Sequence, residues 1–247
     1  MNHKLYIIGI GPGAYDLLTI RAERILKDIV GEIVGYKTYV NFIKPYFPGK
    51  IYKEFGMGEE LARISYAVET VLFHDRDVAL ISGGDPTVYG MVSPFLEYII
   101  KNNISLSFEI IPGVTSVLAA SPRLGAPIAN DFSILSLSDY LISWKEIVER
   151  LKNVLLTGME VILYNPVSRN GKEKIETVKD LILKIRGPHT KVGIVENAER
   201  KDEKVEIVEA HSLSFNSLSM RSIIFISDEK SIYKKGYLFT PRGYKIE

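Results

Sequence analysis

Residues 80 to 90 read LISGGDPTVYG, and residues 5 to 14 read LYIIGIGPGA. Each is an apolar run without polar alternation that ends in a glycine-rich turn. A strand with one face in water alternates polar and apolar residues, whereas a continuous apolar run has to be covered on both faces. Such strands belong to parallel sheets sandwiched between helices. Their carboxyl ends deliver loops to one edge of the sheet, where ligands gather in open α/β folds. A third turn of the same kind, IIPGVTS, closes the run LSFEIIPG at residues 106 to 113.

Between these runs the spacing predicts helices. Ala22, Ile25, Leu26 and Ile29 share one face after an N-cap at Thr19, and Glu59 to Phe73 repeats the pattern with Leu61, Ile64, Ala67 and Val68 inward. A short strand is expected at 32 to 36 and helical structure from Pro94 to Lys101. Strands separated by helices give an α/β layer structure. After IIPGVTS a small-residue helix, Val114 to Leu124, leads into FSILSLSD, an amphipathic segment at 144 to 152, VILYNP and a helix at 172 to 184. KVGIVENAE, EKVEIVEA and RSIIFISDE then follow with no helices between them. We therefore expect two α/β domains, 1–113 with a largely parallel sheet and 114–247 with a mixed one, hinged near Pro112-Gly113.

Composition excludes several classes. Of the 247 residues 31 are Lys or Arg and 30 Asp or Glu, scattered to a net charge of +1, so no basic stripe for nucleic acid is present. Apolar runs fall short of the roughly 20 residues that a membrane helix needs. The opening MNHKLYIIGIGPG enters a strand without a signal-peptide cleavage site, and with no cysteine in the chain a cytoplasmic protein is expected. His3, His74, His189 and His211 are isolated in sequence, and no HExxH or GxSxG occurs, so no metal site or serine nucleophile is expected.

GIGPGA at 9 to 14 matches the dinucleotide pattern GxGxxG/A. The matching strand EIVGY ends in Gly35-Tyr36, however, where a ribose-binding acid is needed, and Pro12 removes a backbone donor. No Gly-Lys-Ser/Thr follows for a phosphate loop. In SGGDP the glycines Gly83 and Gly84 permit close ligand approach, and Asp85 offers a carboxylate. A bare turn capped by Asp85 is the competing reading. Thr115 and Ser116 are helix caps or ligand hydroxyls. Tyr164 and Asn165, and then Glu196 and Asn197, stand at further strand exits. The aromatic stretch YKTYVNFIKPYF suits either a planar ligand or a core.

The ordered set YIIGIGPG, GMGEELAR, ISGGDPTVYG, EIIPGVTSVLAA, LGAPIANDFSILSLSD, VILYNPVSR and VGIVENAER resembles the tetrapyrrole methyltransferases, from about residue 5 to 244. GAPIANDF…SLSD, LYNPVSR and LFTPRGY are most similar to the C17-methyltransferases acting on precorrin-3B or cobalt-factor III in cobalamin synthesis. The resemblance implies a two-domain homodimer that binds S-adenosylmethionine between its domains. Its cofactor residues would be Pro12, Gly83, Gly84, Asp85, Val88, Thr115, Ser116, Asn165 and Ala198. Asn165 stands where relatives often carry methionine, and Ala198 where they carry glycine, so backbone rather than side-chain contacts are implied there. Methylation at C17 is coupled in this group to ring contraction, whose proton handling would fall to Asp139, Tyr164 or Arg169. The metal of a cobalt-containing macrocycle belongs to the substrate. Competing readings are a methyltransferase for C11 or C20, the diphthamide branch, a nicotinamide-dinucleotide domain and a non-catalytic module.

Overall fold

The computed structural model describes residues 3–74, 76–167 and 171–245. The chain divides into two compact units, Met1–Ser116 and Val117–Glu247. In the first unit β1 (Lys4–Gly9) leads through a 3-10 turn at Tyr15–Leu17 to α1 (Ile20–Arg24). Thr19 Oγ1 accepts from the Ala22 N–H, which is the expected N-cap, and the helix relaxes into a π turn over Ile25–Ile29. There follow β2 (Glu32–Tyr36), α2 (Lys37–Ile43), β3 (Ile51–Phe55), α3 (Glu60–Phe73), β4 (Val78–Ser82), α4 (Val92–Lys101) and β5 (Ser107–Ile111).

The sheet order is β3-β2-β4-β1-β5, and every pair is parallel. Successive side chains of a strand point to opposite faces. Tyr6, Ile8, Ala79 and Ile81 accordingly pack with Ala22, Leu26 and Val40 on one side. Leu5, Ile7, Val78 and Leu80 pack with Ile64, Val68, Val92 and Phe95 on the other. Both faces are dry, as the unbroken apolar runs require.

Ile29, expected on the apolar face with Ala22, Ile25 and Leu26, is 41 % exposed, and two further expectations change. Ile51–Phe55 is a strand that periodicity did not reveal, because it lies at the sheet edge with Ile51 and Lys53 exposed. Leu61 sits in the first turn of α3, where it is 63 % exposed rather than inward.

The second unit contains α5 (Ser116–Leu124, its first residue closing the first unit), β6 (Gly125–Ala126), β7 (Phe132–Ser136), α6 (Trp144–Leu155), β8 (Glu160–Tyr164) and α7 (Gly171–Ile185). β9 (Lys191–Glu196), β10 (Lys204–Glu209), β11 (Ser222–Ile226), β12 (Ile232–Lys234) and β13 (Tyr237–Phe239) complete it. Its main sheet runs β10-β9-β11-β8-β7, with β7 and β8 parallel and the other pairs antiparallel. The mixed sheet expected from the crowding of strands is therefore present. Val161, Leu163, Val192, Ile194, Ile224 and Ile226 form a core with Leu151 of α6 and Val178 of α7. On the other face Leu124 lies against Gly193, where a Cβ would come within 2.6 Å of its Cδ1. A small sheet, β12-β13-β6, ties the C-terminal hairpin back to the end of α5. Among the described residues no helix is long and apolar enough to cross a membrane.

Candidate active site

In the first unit β4, β1 and β5 are neighbours running the same way, so the three glycine turns emerge side by side. Two of the turns are stitched through backbone. The Gly11 N–H donates to Gly84 O at 3.2 Å, and the Gly84 N–H donates to Gly11 O at 2.8 Å. A Cβ on Gly9 would stand 2.6 Å from Gly84 O and 2.7 Å from Gly113 N, distances that no real Cβ tolerates. Gly84 has φ +66°, in the left-handed region that glycine enters without strain. A Cβ on Gly83 would strike the ring of Tyr39.

Asp85 binds the assembly together. Its Oδ1 accepts from the Thr87 N–H at 2.8 Å and from Thr87 Oγ1, and its Oδ2 accepts from the Gly113 N–H at 3.0 Å. Desolvation pushes this carboxyl up, but the bonds from Thr87 and Gly113 outweigh it and hold it below the ordinary value. Asp85 is thus ionised at neutral pH. A carboxylate offers about four lone-pair sites, and three are taken, so one remains for a ligand.

Pro12 is buried in the first turn, and Val88 is half-buried just past the Asp85 turn. Thr115 and Ser116 face Gly84, whose added Cβ would meet Thr115 Cα at 3.6 Å and Ser116 N at 3.8 Å. Seven of the expected residues (Pro12, Gly83, Gly84, Asp85, Val88, Thr115 and Ser116) therefore meet at one edge of the first unit. Sequence reasoning passed over Gly9, Tyr39 and Thr87. Thr87 was readable as the i+2 partner of an Asx turn, and Tyr39 lies in the aromatic stretch set aside for a planar ligand. The rest of that stretch serves the core, where Val40, Ile43 and Phe47 are buried.

The dinucleotide reading fails on geometry. After the glycine turn the chain makes a 3-10 turn at Tyr15–Leu17 before α1 begins at Ile20, so the glycines do not open a helix whose N-terminus could receive a pyrophosphate. At the end of β2, Gly35 packs against Ile81 with no room for a side chain.

In the second unit β7, β8 and β9 share a direction, and their exits form a second edge. Tyr164 Oη accepts from the Val117 N–H at 3.1 Å, in the first turn of α5. Asn165 has φ +55°, and its Nδ2 donates to Ser136 Oγ at 3.0 Å. Asn197 has φ +54° and donates through Nδ2 to Asp202 O at 3.2 Å, while Ala198 beside it is buried. Asp139, past β7, pairs with Lys174 Nζ of α7 at 2.6 Å. Lys174 is almost fully buried, and its ammonium also lies 5.3 Å from the Trp144 ring centroid. Arg169 lies outside the described residues.

A family model described as Tetrapyrrole (Corrin/Porphyrin) Methylases matches residues 4–214. The chain belongs to that family. The methylase is 39% identical over 241 residues to the cobalamin biosynthesis protein CbiHC of Archaeoglobus fulgidus, covering 98% of this chain and 53% of that protein. It therefore spans about half the length of that relative. It is 34% identical to a probable cobalt-factor III C(17)-methyltransferase of Salmonella typhimurium, covering 98% of this chain and 100% of the relative. The crystal structure of the methyltransferase CobJ superposes with a TM-score of 0.91 at 26% identity, over 97% of this methylase and 100% of that chain. The fold is thus the two-domain α/β tetrapyrrole methylase fold, with a parallel N-terminal and a mixed C-terminal sheet.

Proposed function

We propose that this methylase transfers the methyl group of S-adenosylmethionine to C17 of a precorrin macrocycle, with contraction of the ring, in cobalamin biosynthesis. The observation that carries the reading is the joined edge at Gly11, Gly84, Asp85 and Gly113. Its turns meet through backbone, and the Asp85 carboxylate is held ionised with a lone-pair site to spare. Those features fit a compact cationic ligand bearing an ammonium and hydroxyl groups. Pro12, Gly83, Gly84, Asp85, Val88, Thr115 and Ser116 would hold it, and Asn165 and Ala198 complete the set through their backbone groups.

When bound, the cofactor supplies an electrophilic methyl whose C–S bond breaks as a C–C bond forms at the macrocycle carbon. The residues of the chain contribute position, since an in-line displacement needs its reacting atoms aligned and little else. Asp85 stabilises positive charge near its free lone pair, and the close-packed glycine turns keep that pair aimed. Tyr164, Asp139 and Arg169 are the proposed proton-handling groups for ring contraction. Of these Tyr164 has an Oη that accepts from the Val117 N–H at 3.1 Å.

The choice of C17 is supported by the similarity, over its full length, to the Salmonella relative of that name. A cobalt-bearing substrate accords with the same name and with a cysteine-free composition rich in Lys, Glu and Ile. Anaerobic incubation with cobalt-factor III and methyl-labelled cofactor, read by mass spectrometry and carbon NMR, tests the reading. Label at C17 on a contracted ring is expected, and label at C11 or C20 would refute the position while leaving the family intact.

A further inference from the structure

Isolated histidines carry no metal signal in sequence, yet the turns that follow the β9–β10 ladder bring two of them together. Lys191 of β9 lies opposite Glu209 of β10 in the antiparallel ladder. There the ladder ends and Ala210–Ser212 turns into a 3-10 helix, but the chains stay joined by the Ala210 N–H to Thr190 O at 2.8 Å and the His211 N–H to Pro188 O at 3.2 Å. His189 is two residues before Lys191, and His211 is two after Glu209. The His189, Lys191 and His211 side chains converge there on the Glu209 carboxylate.

The rings stand 6.1 Å apart in a T-shaped arrangement. His189 Nδ1 lies 2.9 Å from Glu209 Oε2, and His211 Nδ1 lies 3.5 Å from the same oxygen. One ligand atom from each of the three residues falls within 4.8 Å of the others. A tetrahedral zinc ion with bonds of about 2.0–2.1 Å sets its donors roughly 3.4 Å apart, so small rotamer changes would close the set. His211 Nδ1 also lies 3.2 Å from Pro188 O.

We propose that His189, Glu209 and His211 form a surface site for a borderline divalent cation of the zinc class, with its remaining coordination open to water. Two imidazoles and a carboxylate match the donor preference of that class, whereas magnesium and calcium call for oxygen alone. Lys191 is a competitor, since it holds the other oxygen of Glu209. The site clamps the ends of β9 and β10, so an ion bound only by the folded chain raises its thermal stability.

The test is calorimetric titration of the apo-protein with Zn2+, paired with melting curves and the visible spectrum of the Co2+ form. One saturable equivalent is expected for the wild type, with a rise in melting temperature. His189→Ala and His211→Ala each weaken binding by about 10-fold or more. Lys191→Ala moves it the other way by a few-fold, a sign that non-specific surface adsorption would not produce. Absence of saturable binding, or binding unchanged in both histidine variants, would overturn the proposal.

Discussion

The two sheet edges are built differently. In the first unit three parallel strands end in turns that touch through glycine backbone, with the Asp85 carboxylate reaching from one turn to the Gly113 N–H of another. In the second unit the corresponding strand ends are organised by side chains: Tyr164 to Val117, Asn165 to Ser136, Asn197 to Asp202, and Asp139 to Lys174. A backbone-built edge admits almost no substitution but fixes donors and acceptors rigidly. A side-chain-built edge can be rebuilt residue by residue. On the proposed function, the first edge would hold the cofactor and the second would serve the substrate chemistry.

Gly9→Ala should break the comparison most severely. Its methyl would stand 2.7 Å or less from Gly84 O, Gly113 N and Pro86 Cδ, and backbone cannot yield as a flexible side chain would. Loss of the native first unit is expected in circular dichroism and denaturation, and a normally folded Gly9→Ala would show that the edge is looser than described.

Reliance on side chains extends to the far end of the second sheet. Glu160, only 1 % exposed, is pushed up to about 8 by desolvation, against which the Asp228 N–H bond acts in the opposite sense. Its folded value lies above the ordinary 4.5. Between those values the native state holds a proton that the unfolded chain has released, so stability falls as pH rises through that window. The decline should amount to roughly 3–5 kcal/mol. Denaturant titrations at successive pH values read it directly, and Glu160→Gln should flatten the profile.

The Asp139–Lys174 pair makes an asymmetric prediction. Lys174 is 4% exposed and Asp139 35%, so deleting the acid leaves a buried ammonium, whereas deleting the lysine leaves a carboxylate that water can reach. Asp139→Ala should cost about 3 kcal/mol and Lys174→Met distinctly less, as measured by urea unfolding. Equal costs would mean that burial does not govern the pair. The smallest effect is expected from Tyr164→Phe. It removes the acceptor for the Val117 N–H at the start of α5 and should cost about 1 kcal/mol in the same assay.

The same contrast governs what could be read from the sequence. The parallel strands were legible because burial on both faces leaves unbroken apolar runs, and Thr19 announced its helix through the chemistry of an N-cap. Ile51–Phe55 escaped because an edge strand is half wetted and its Lys53 and Glu54 blur the pattern. The pairing of β13 with β6 escaped because two residues of ladder carry no periodicity. At the site, glycine turns advertise themselves, since few other residues can occupy them. The partners of Asp139 and His189 lie 35 and 22 positions away and meet only through packing and register.

The central claim is that the first edge holds the cofactor through its backbone and Asp85. Calorimetric titration with S-adenosylhomocysteine of the wild type and Asp85→Ala, with NAD as a parallel ligand, tests it most directly. Binding to the wild type without NAD binding is expected, with a loss of about 1.5–3 kcal/mol in Asp85→Ala. Unaltered affinity in a folded Asp85→Ala, or tight NAD binding with none of the homocysteine ligand, would contradict the claim.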